Sequence, residues 1–231
     1  MSMKKLHLTV SDQEVRNGFF LLFSAFLCVP YLLSYLNQRL TTPIDPPSLN
    51  LIYHTVNLTG AIVVFSVFLK KSAQQLRIQL KSILVYAVIG LLVYFLMVIA
   101  LSRFILWLKP DFANLNDHNI AHQLDTQWIF AVIGTVIMAP LTEELMFRGH
   151  LFGHLYNKSP AAAYLVSMCA FSLVHILGYV GNANIATLLL SFLQYLPAGW
   201  VLAWAYAQTG SILTPIIIHT LINAIAIYTM R

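Results

Sequence analysis

Long apolar segments alternate with short polar connections along the whole chain. A helix rises 1.5 Å per residue, so about 20 mainly apolar residues are needed to cross a bilayer. The chain holds seven candidate segments of this kind, at residues 19–36, 51–69, 83–101, 128–156, 161–180, 185–207 and 212–230. The pattern therefore predicts an all-α protein, a polytopic membrane bundle of about seven transmembrane helices.

The fourth segment differs from the others because its charges lie inside it. The uncharged run 128–142 has 15 residues, which is about 22 Å of helix and shorter than a hydrocarbon core of about 30 Å. A spanning helix must therefore continue past Arg148 to about Tyr156. Glu143 and Glu144 then lie well inside the bilayer, where ionisable groups are costly and are functional candidates by default.

Composition supports a multi-pass protein of the cell membrane. The chain is 59% apolar and 9% charged, whereas soluble domains are about 45–50% apolar and about 25% charged. The net charge of +5 has little meaning until the charges are assigned to one side of the membrane, and nucleic-acid binding is not indicated. Cys28 and Cys169 lie in separate apolar runs, so the sequence offers neither a disulfide framework nor a CxxC motif.

The distribution of basic residues predicts the orientation. Cytoplasmic connections are enriched in Lys and Arg. Nine basic residues fall on the side of the N-terminus and four on the other: Lys4, Lys5, Arg16, Lys70, Lys71, Arg77, Lys81, Arg148 and Lys158 against Arg39, Arg103, Lys109 and Arg231. We therefore expect a cytoplasmic N-terminus, an outer C-terminus and a site that opens inward.

The fourth segment also contains the first candidate group of catalytic residues. Glu144 and Arg148 are four residues apart and share a helix face, whereas Glu143 is rotated by about 100°. Arg148 can neutralise Glu144, which leaves Glu143 as a general base facing a cavity. A helix-end salt bridge with a snorkelling Glu143 is the alternative. Pro140 predicts a kink or a helix restart just before the pair.

Two later helices carry further polar groups. His175 lies about 15 residues from the inner end of its helix, and Glu143 about 13 residues from the inner end of its own, so their depths match. His219 and Asn223 are four apart on the last helix and could together donate hydrogen bonds to an oxyanion. Read singly, each group is also compatible with hydrogen bonding between helices.

Other polar residues have simpler interpretations. The pairs His150 with His154 and His118 with His122 have zinc-compatible spacing, but neither has the glutamate of an HExxH motif. We interpret all four as interfacial or solvated histidines. Three further groups are interpreted as packing or cavity-lining residues: His54, Asn57 and Gln194.

Taken together, the motifs Glu143-Glu144-x-x-x-Arg148, Phe171-x-x-x-His175 and His219-x-x-x-Asn223 resemble the CPBP family of intramembrane proteases, also described as Abi-domain proteins. This family includes type II CAAX prenyl endopeptidases and bacterial proteins tied to bacteriocin processing and self-immunity. The resemblance covers about residues 128–230. It divides the chain into a variable N-terminal membrane half, 1–127, with three helices and an outer loop, and a catalytic core, 128–231, with four helices.

The resemblance implies an intramembrane endopeptidase. Glu143 would activate water, His175 would position or polarise it, His219 with Asn223 would steady the oxyanion, and Glu144 with Arg148 would hold the motif helix in register. Expected partners are membrane lipid and a peptide or protein substrate, such as a bacteriocin, a leader peptide or a lipid-anchored protein.

Two alternatives to the enzyme remain, a small-solute transporter and a catalytically inert immunity or scaffold protein. A metal is also an open alternative, because Glu143, His175 and His219 would form a His₂Glu zinc set. We favour catalysis without a metal cofactor. If Glu143 bound zinc, Glu144 would be engaged by Arg148 and no separate general base would remain.

Overall fold

The computed structural model describes residues 5–230, with the exception of the side chains of 75–78. Within this part the chain forms helices and no strands, which confirms the all-α prediction. The seven helices are α1 Asp12–Asn37, α2 Pro46–Val64, α3 Ser66–Leu108, α4 Leu115–Tyr156, α5 Pro160–Leu177, α6 Ile185–Thr209 and α7 Leu213–Met230. Lys4, Arg231 and the Arg77 side chain, which enter the basic-residue count, lie outside the described residues.

The number of candidate spans agrees with the prediction of about seven. Six helices of the described chain are long and apolar enough to cross a membrane. A seventh span arises if α2 and the beginning of α3, Ser66–Gln74, count as one segment bent by 73°. The bend lies at Phe65, which is fully buried. The predicted second span, 51–69, is therefore broken near its end.

Two predicted connections are helical instead. The basic loop expected around Lys70 to Lys81 is part of α3. The polar connection expected before residue 128 forms the beginning of α4, where the Asn114 side chain accepts hydrogen bonds from the first backbone N–H groups. The expectation was wrong because apolar runs report burial in lipid, whereas a capped polar segment can also be helical. Non-helical dihedrals at Gln127, φ −143° and ψ 72°, mark the junction.

α4 is continuous after that junction but contains two π-helical segments, Ile133–Met138 and Leu145–Phe152. The first directly precedes Pro140. A proline inside a helix lacks an N–H group, and its ring crowds the carbonyl four residues earlier, here that of Val136. A π-helical turn accommodates such a residue by widening the helix. The kink or restart expected at Pro140 is therefore a widened stretch of helix. Glu143 and Glu144 lie in the α-helical turn that comes directly after it.

The helix order defines two faces of the bundle. The N-terminal face carries the connections 157–159 and 210–212, and the chain start is held there because the Leu6 N–H donates to Asn157 Oδ1 at 3.0 Å. The C-terminal face carries the connections 38–45, 109–114 and 178–184 and the end of α7. The buried core between these faces includes Phe147 on α4 and Tyr206 on α6.

Candidate active site

Glu143 and two histidines meet in the interior of the bundle. The Nε2 atom of His175 on α5 lies 3.8 Å from Glu143 Oε2 on α4. The Nε2 atom of His219 on α7 lies 4.0 Å from the same oxygen. Glu143 is 15% exposed, so its carboxylate is shielded but still reachable from a cavity. The two predicted histidines thus converge on one carboxylate oxygen of Glu143.

The hydrogen bonds of the two histidines fix their tautomers. His175 Nδ1 lies 2.7 Å from the Phe171 carbonyl oxygen, and His219 Nδ1 lies 2.7 Å from Glu144 Oε1. A carbonyl or carboxylate oxygen only accepts, so each Nδ1 carries a proton and donates. In the neutral ring each Nε2 is then an acceptor facing Glu143.

Acceptors do not hydrogen-bond with each other, and separations of 3.8 and 4.0 Å are too long for a direct bond. One water molecule can bridge two polar groups across such a gap. The arrangement around Glu143 Oε2 is therefore suited to a water that donates to the carboxylate and to one imidazole.

Glu144 and Arg148 form the ion pair that their spacing predicts. Arg148 Nη1 donates to Glu144 Oε1 at 2.8 Å, and both side chains are fully buried. Arg148 Nη2 also donates to the Gly199 carbonyl on α6 at 3.2 Å, and the guanidinium lies over the Phe171 ring, 4.4 Å from its centroid. The pair therefore connects α4 to α5 and α6.

The same glutamate has a second partner that sequence reasoning missed. Glu144 Oε1 accepts from both Arg148 and His219, so it orients the His219 ring as well as neutralising the arginine. A carboxylate on Nδ1 fixes which way an imidazole faces. No local spacing marks this contact, because 75 positions separate the two residues.

Asn223 lies close to the site but also has a structural partner. Its Nδ2 group donates to the Thr135 carbonyl on α4 at 2.8 Å. A primary amide has two N–H groups, so one remains for a ligand. His219 can donate from Nε2 only as an imidazolium, because its Nδ1 proton is used by Glu144. The joint oxyanion role expected for His219 and Asn223 thus requires a charged His219, and it stays a prediction.

A cavity of about 800 Å³ connects these residues. Its lining includes all four groups that face the reaction centre: Glu143, His175, His219 and Asn223. From there it extends to Asn114 and Tyr179 at the C-terminal face, and its lining includes no residue of 157–159 or 210–212. With the predicted N-terminus inside, the site was expected to open inward. The cavity instead runs away from the N-terminal face, so a cytoplasmic N-terminus and a site that opens inward cannot both be correct.

Two aromatic residues at the site were not predicted. Tyr195 on α6 stacks on His175, with ring centroids 4.2 Å apart, and its hydroxyl donates to Asn114 Oδ1 at 3.3 Å. Tyr53 on α2 also lines the cavity and lies within electrostatic range of the Glu143 carboxylate. Neither residue belongs to a spacing motif, so only the tertiary structure reveals them.

Three histidines outside the site differ in their burial. His118 and His122 are exposed, in agreement with a solvated role. His150 is fully buried, and the interfacial role expected for it is wrong. Its Nε2 lies 3.0 Å from the Val15 carbonyl, and its ring packs against Gly18. The reason is that α1 covers this part of α4, which the sequence pattern of α4 alone does not show.

The zinc alternative can be tested against the donor geometry. Ligands about 2.0 Å from a tetrahedral zinc lie about 3.3 Å apart. Glu143 Oε2 lies 3.8 and 4.0 Å from the two Nε2 atoms. Among the described residues, no group of three or more His, Cys, Asp or Glu is arranged to hold a metal ion. As placed, the residues do not fit a zinc site.

Comparison with known proteins places these residues in a family context. A model of the type II CAAX prenyl endopeptidase Rce1-like family matches residues 125–225, a segment that contains every site residue predicted from the sequence. The UPF0177 proteins YxdF and YbdI of Lactococcus lactis subsp. lactis are 32% and 28% identical, over 38% and 51% of this chain. YdiL of Bacillus subtilis, a protein named as a candidate membrane peptidase, is 34% identical over 42% of this chain.

The similarity is confined to part of each relative. The chain spans 42% of the length of YxdF, 35% of YdiL and 58% of YbdI. No solved structure matches the chain. The family match covers the motifs around Glu143, His175 and His219, and it confirms the resemblance that those motifs indicate. Over residues 125–225, a little less than half of its length, the chain is therefore similar to the type II CAAX prenyl endopeptidase Rce1-like family.

Proposed function

We propose that this chain is an intramembrane endopeptidase that hydrolyses a peptide bond in a membrane-associated peptide or protein. One observation carries the proposal. Glu143 Oε2 is buried, has no hydrogen-bond donor among the described residues, and faces two imidazole acceptors in a cavity. Buried polar atoms are normally paired, so an unpaired carboxylate oxygen at this position fits a catalytic base. The family match and the name of YdiL support the same activity.

The proposed reaction begins with a water held between Glu143 and His175. Glu143 takes a proton from the water while the water oxygen forms a bond to the carbonyl carbon of the substrate. The electron pair of the C=O bond moves to the carbonyl oxygen, which becomes an oxyanion. The C–N bond then breaks, and the proton on Glu143 passes to the leaving nitrogen. The products are a carboxyl group and an amine, and Glu143 returns to a carboxylate. General acid–base catalysis of this kind contributes about 10² to 10⁴ in rate.

The neighbouring residues have distinct proposed roles. His175 positions the water through Nε2, and its ring is held by the Phe171 carbonyl and by stacking on Tyr195. Asn223 offers its second N–H to the oxyanion. His219 can add a second donor to that site only as an imidazolium, because its Nδ1 proton is used by Glu144.

We also propose a division of labour along the chain. Residues 1–127 form a variable half and residues 128–231 the catalytic core, and the boundary falls at the Gln127 junction within α4. The positive-inside count supports a cytoplasmic N-terminus, although Arg148 is buried in the bundle and no longer belongs to the count. With that orientation the cavity lies toward the outer face.

The substrate class follows from the position of the site. A base inside the bundle acts on chains that are already in or on the membrane, such as a bacteriocin, a leader peptide or a lipid-anchored protein. Processing of a bacteriocin or self-immunity is the physiological role that we propose for such an activity. The bacterial relatives YxdF and YdiL fit a bacterial substrate.

The proposal can be tested in cells that carry the wild type, Glu143→Gln or Asp125→Asn. The last variant makes the same carboxylate-to-amide change at an exposed residue outside the cavity lining. We expect new peptide termini in the membrane proteome of the wild type and the Asp125→Asn control and their absence with Glu143→Gln at equal abundance. An inert scaffold predicts identical proteomes in all three strains, and a transporter predicts altered solute uptake without new termini.

A further inference from the structure

The cavity has a second charged end, away from the catalytic groups. Asp117, near the beginning of α4, and Glu143 are the only Asp, Glu, Lys or Arg side chains among the described residues that line it. The wall around Asp117 is polar and comes largely from amides: Asn114, Asn116, Asn119 and Gln123. The cavity therefore holds two carboxylates and no basic residue other than histidine.

Among the described residues, the Asp117 carboxylate has no ion-pair partner and accepts no hydrogen bond from another side chain or from the backbone. Its backbone N–H donates to Asn114 Oδ1 at 3.3 Å, which fixes the turn. The hydroxyl-bearing rings of Tyr94, Tyr179 and Tyr195 lie within electrostatic range of the carboxylate, and all three line the cavity. Carboxylate, amide oxygens and aromatic faces are the groups that bind an organic cation.

A short chain of contacts links this end to the reaction centre. Tyr195 stacks on His175, which faces Glu143, and the Tyr195 hydroxyl donates to Asn114. One ring and one amide side chain therefore separate the two ends. An extended peptide rises about 3.3 Å per residue, so about three or four residues would cover this path.

We propose that the Asp117 end of the cavity is a subsite for a cationic group of the substrate, a Lys or Arg side chain or a terminal ammonium. As a statement about substrate, this rests on the proposed protease function. The subsite places the positive charge about three or four residues from the bond to be cleaved. Cation binding relieves the unpaired carboxylate, and the absence of Lys and Arg from the lining leaves the position open for a ligand.

The test uses binding instead of cleavage. Two short apolar peptides are made that differ at one position, lysine in one and the neutral isostere norleucine in the other. Their dissociation constants are measured by fluorescence anisotropy in a neutral maltoside detergent, with the full chain carrying Glu143→Gln so that no peptide is consumed. We expect the lysine peptide to bind about tenfold more tightly.

Three further substitutions in the same background identify the cause. Asp117→Asn should remove the difference between the two peptides, and Asp117→Glu should retain it because the charge is kept. Asp111→Asn is the matched control, since Asp111 is an exposed carboxylate at the same face that does not line the cavity, and it should leave the difference unchanged.

Equal dissociation constants for the two peptides, absence of binding, or an unchanged ratio in Asp117→Asn would each overturn the subsite. Failure of the protease proposal looks different. In that case the chain with Glu143 intact cuts neither peptide, while the binding ratio and its loss in Asp117→Asn persist. If the two peptides bound equally well while the chain with Glu143 intact still cleaved them, the subsite proposal would be wrong and the protease proposal would stand.

Discussion

Replacing Arg148 by methionine removes the positive partner of a fully buried carboxylate. Glu144 would keep only His219 as a donor, and the guanidinium bond to the Gly199 carbonyl and the contact with the Phe171 ring would be lost. Breaking a buried ion pair from one side costs about 3–5 kcal/mol. A chain of this size loses about 2–4 °C in melting temperature per kcal/mol, so we expect the melting temperature of Arg148→Met to fall by about 6–20 °C.

Thermal unfolding in detergent, followed by circular dichroism, measures this change. Arg103→Met provides the matched control, because Arg103 is an exposed residue of α3, and it should stay close to the wild type. The double variant Glu144→Gln with Arg148→Met removes both charges and should recover part of the loss. A melting temperature of Arg148→Met equal to that of the Arg103→Met control, or a double variant less stable than the single one, would refute the reasoning about the buried pair.

Three further predictions concern packing, topology and metal. Gly199→Ala should lower stability and activity, because a Cβ at Gly199 would lie 3.1 Å from the Met168 Cα. Gly178→Ala is the control and should lower neither, since a Cβ there would meet nothing within 4 Å. Equal melting curves for the two variants would contradict this. A membrane-impermeant thiol reagent should modify Met230→Cys and not Lys71→Cys in intact cells, in a background without native cysteines, and the reverse labelling would invert the proposed orientation. Removal of divalent ions should leave cleavage by the purified chain unchanged, whereas a loss that zinc alone restores would make Glu143 a ligand.

The helical fold and the main contacts within α4 could be predicted because they depend on local periodicity. The apolar runs required long helices, and the spacing of Glu144 and Arg148 placed both on one face. The same logic failed for the polar start of α4, since hydropathy reports lipid contact and not helicity. It also failed for His150, because burial there depends on α1.

The candidate site was accessible from sequence only in part, for a similar reason. The depths of Glu143 and His175 could be compared because each was counted along its own helix. The bond between Glu144 and His219, the stacking of Tyr195 on His175 and the direction of the cavity depend on how helices distant in sequence are placed side by side. No pattern along a single helix contains that information.

The central claim is that Glu143 activates the water that cleaves the peptide bond. The most direct test is cleavage by the purified chain in liposomes, in water labelled with heavy oxygen, with mass spectrometry of the new carboxyl terminus. We predict that the label enters that terminus with the wild type and the Asp125→Asn control, and that Glu143→Gln, with the same melting temperature, is slower by at least about 10²-fold. Cleavage by Glu143→Gln at the wild-type rate would contradict the claim.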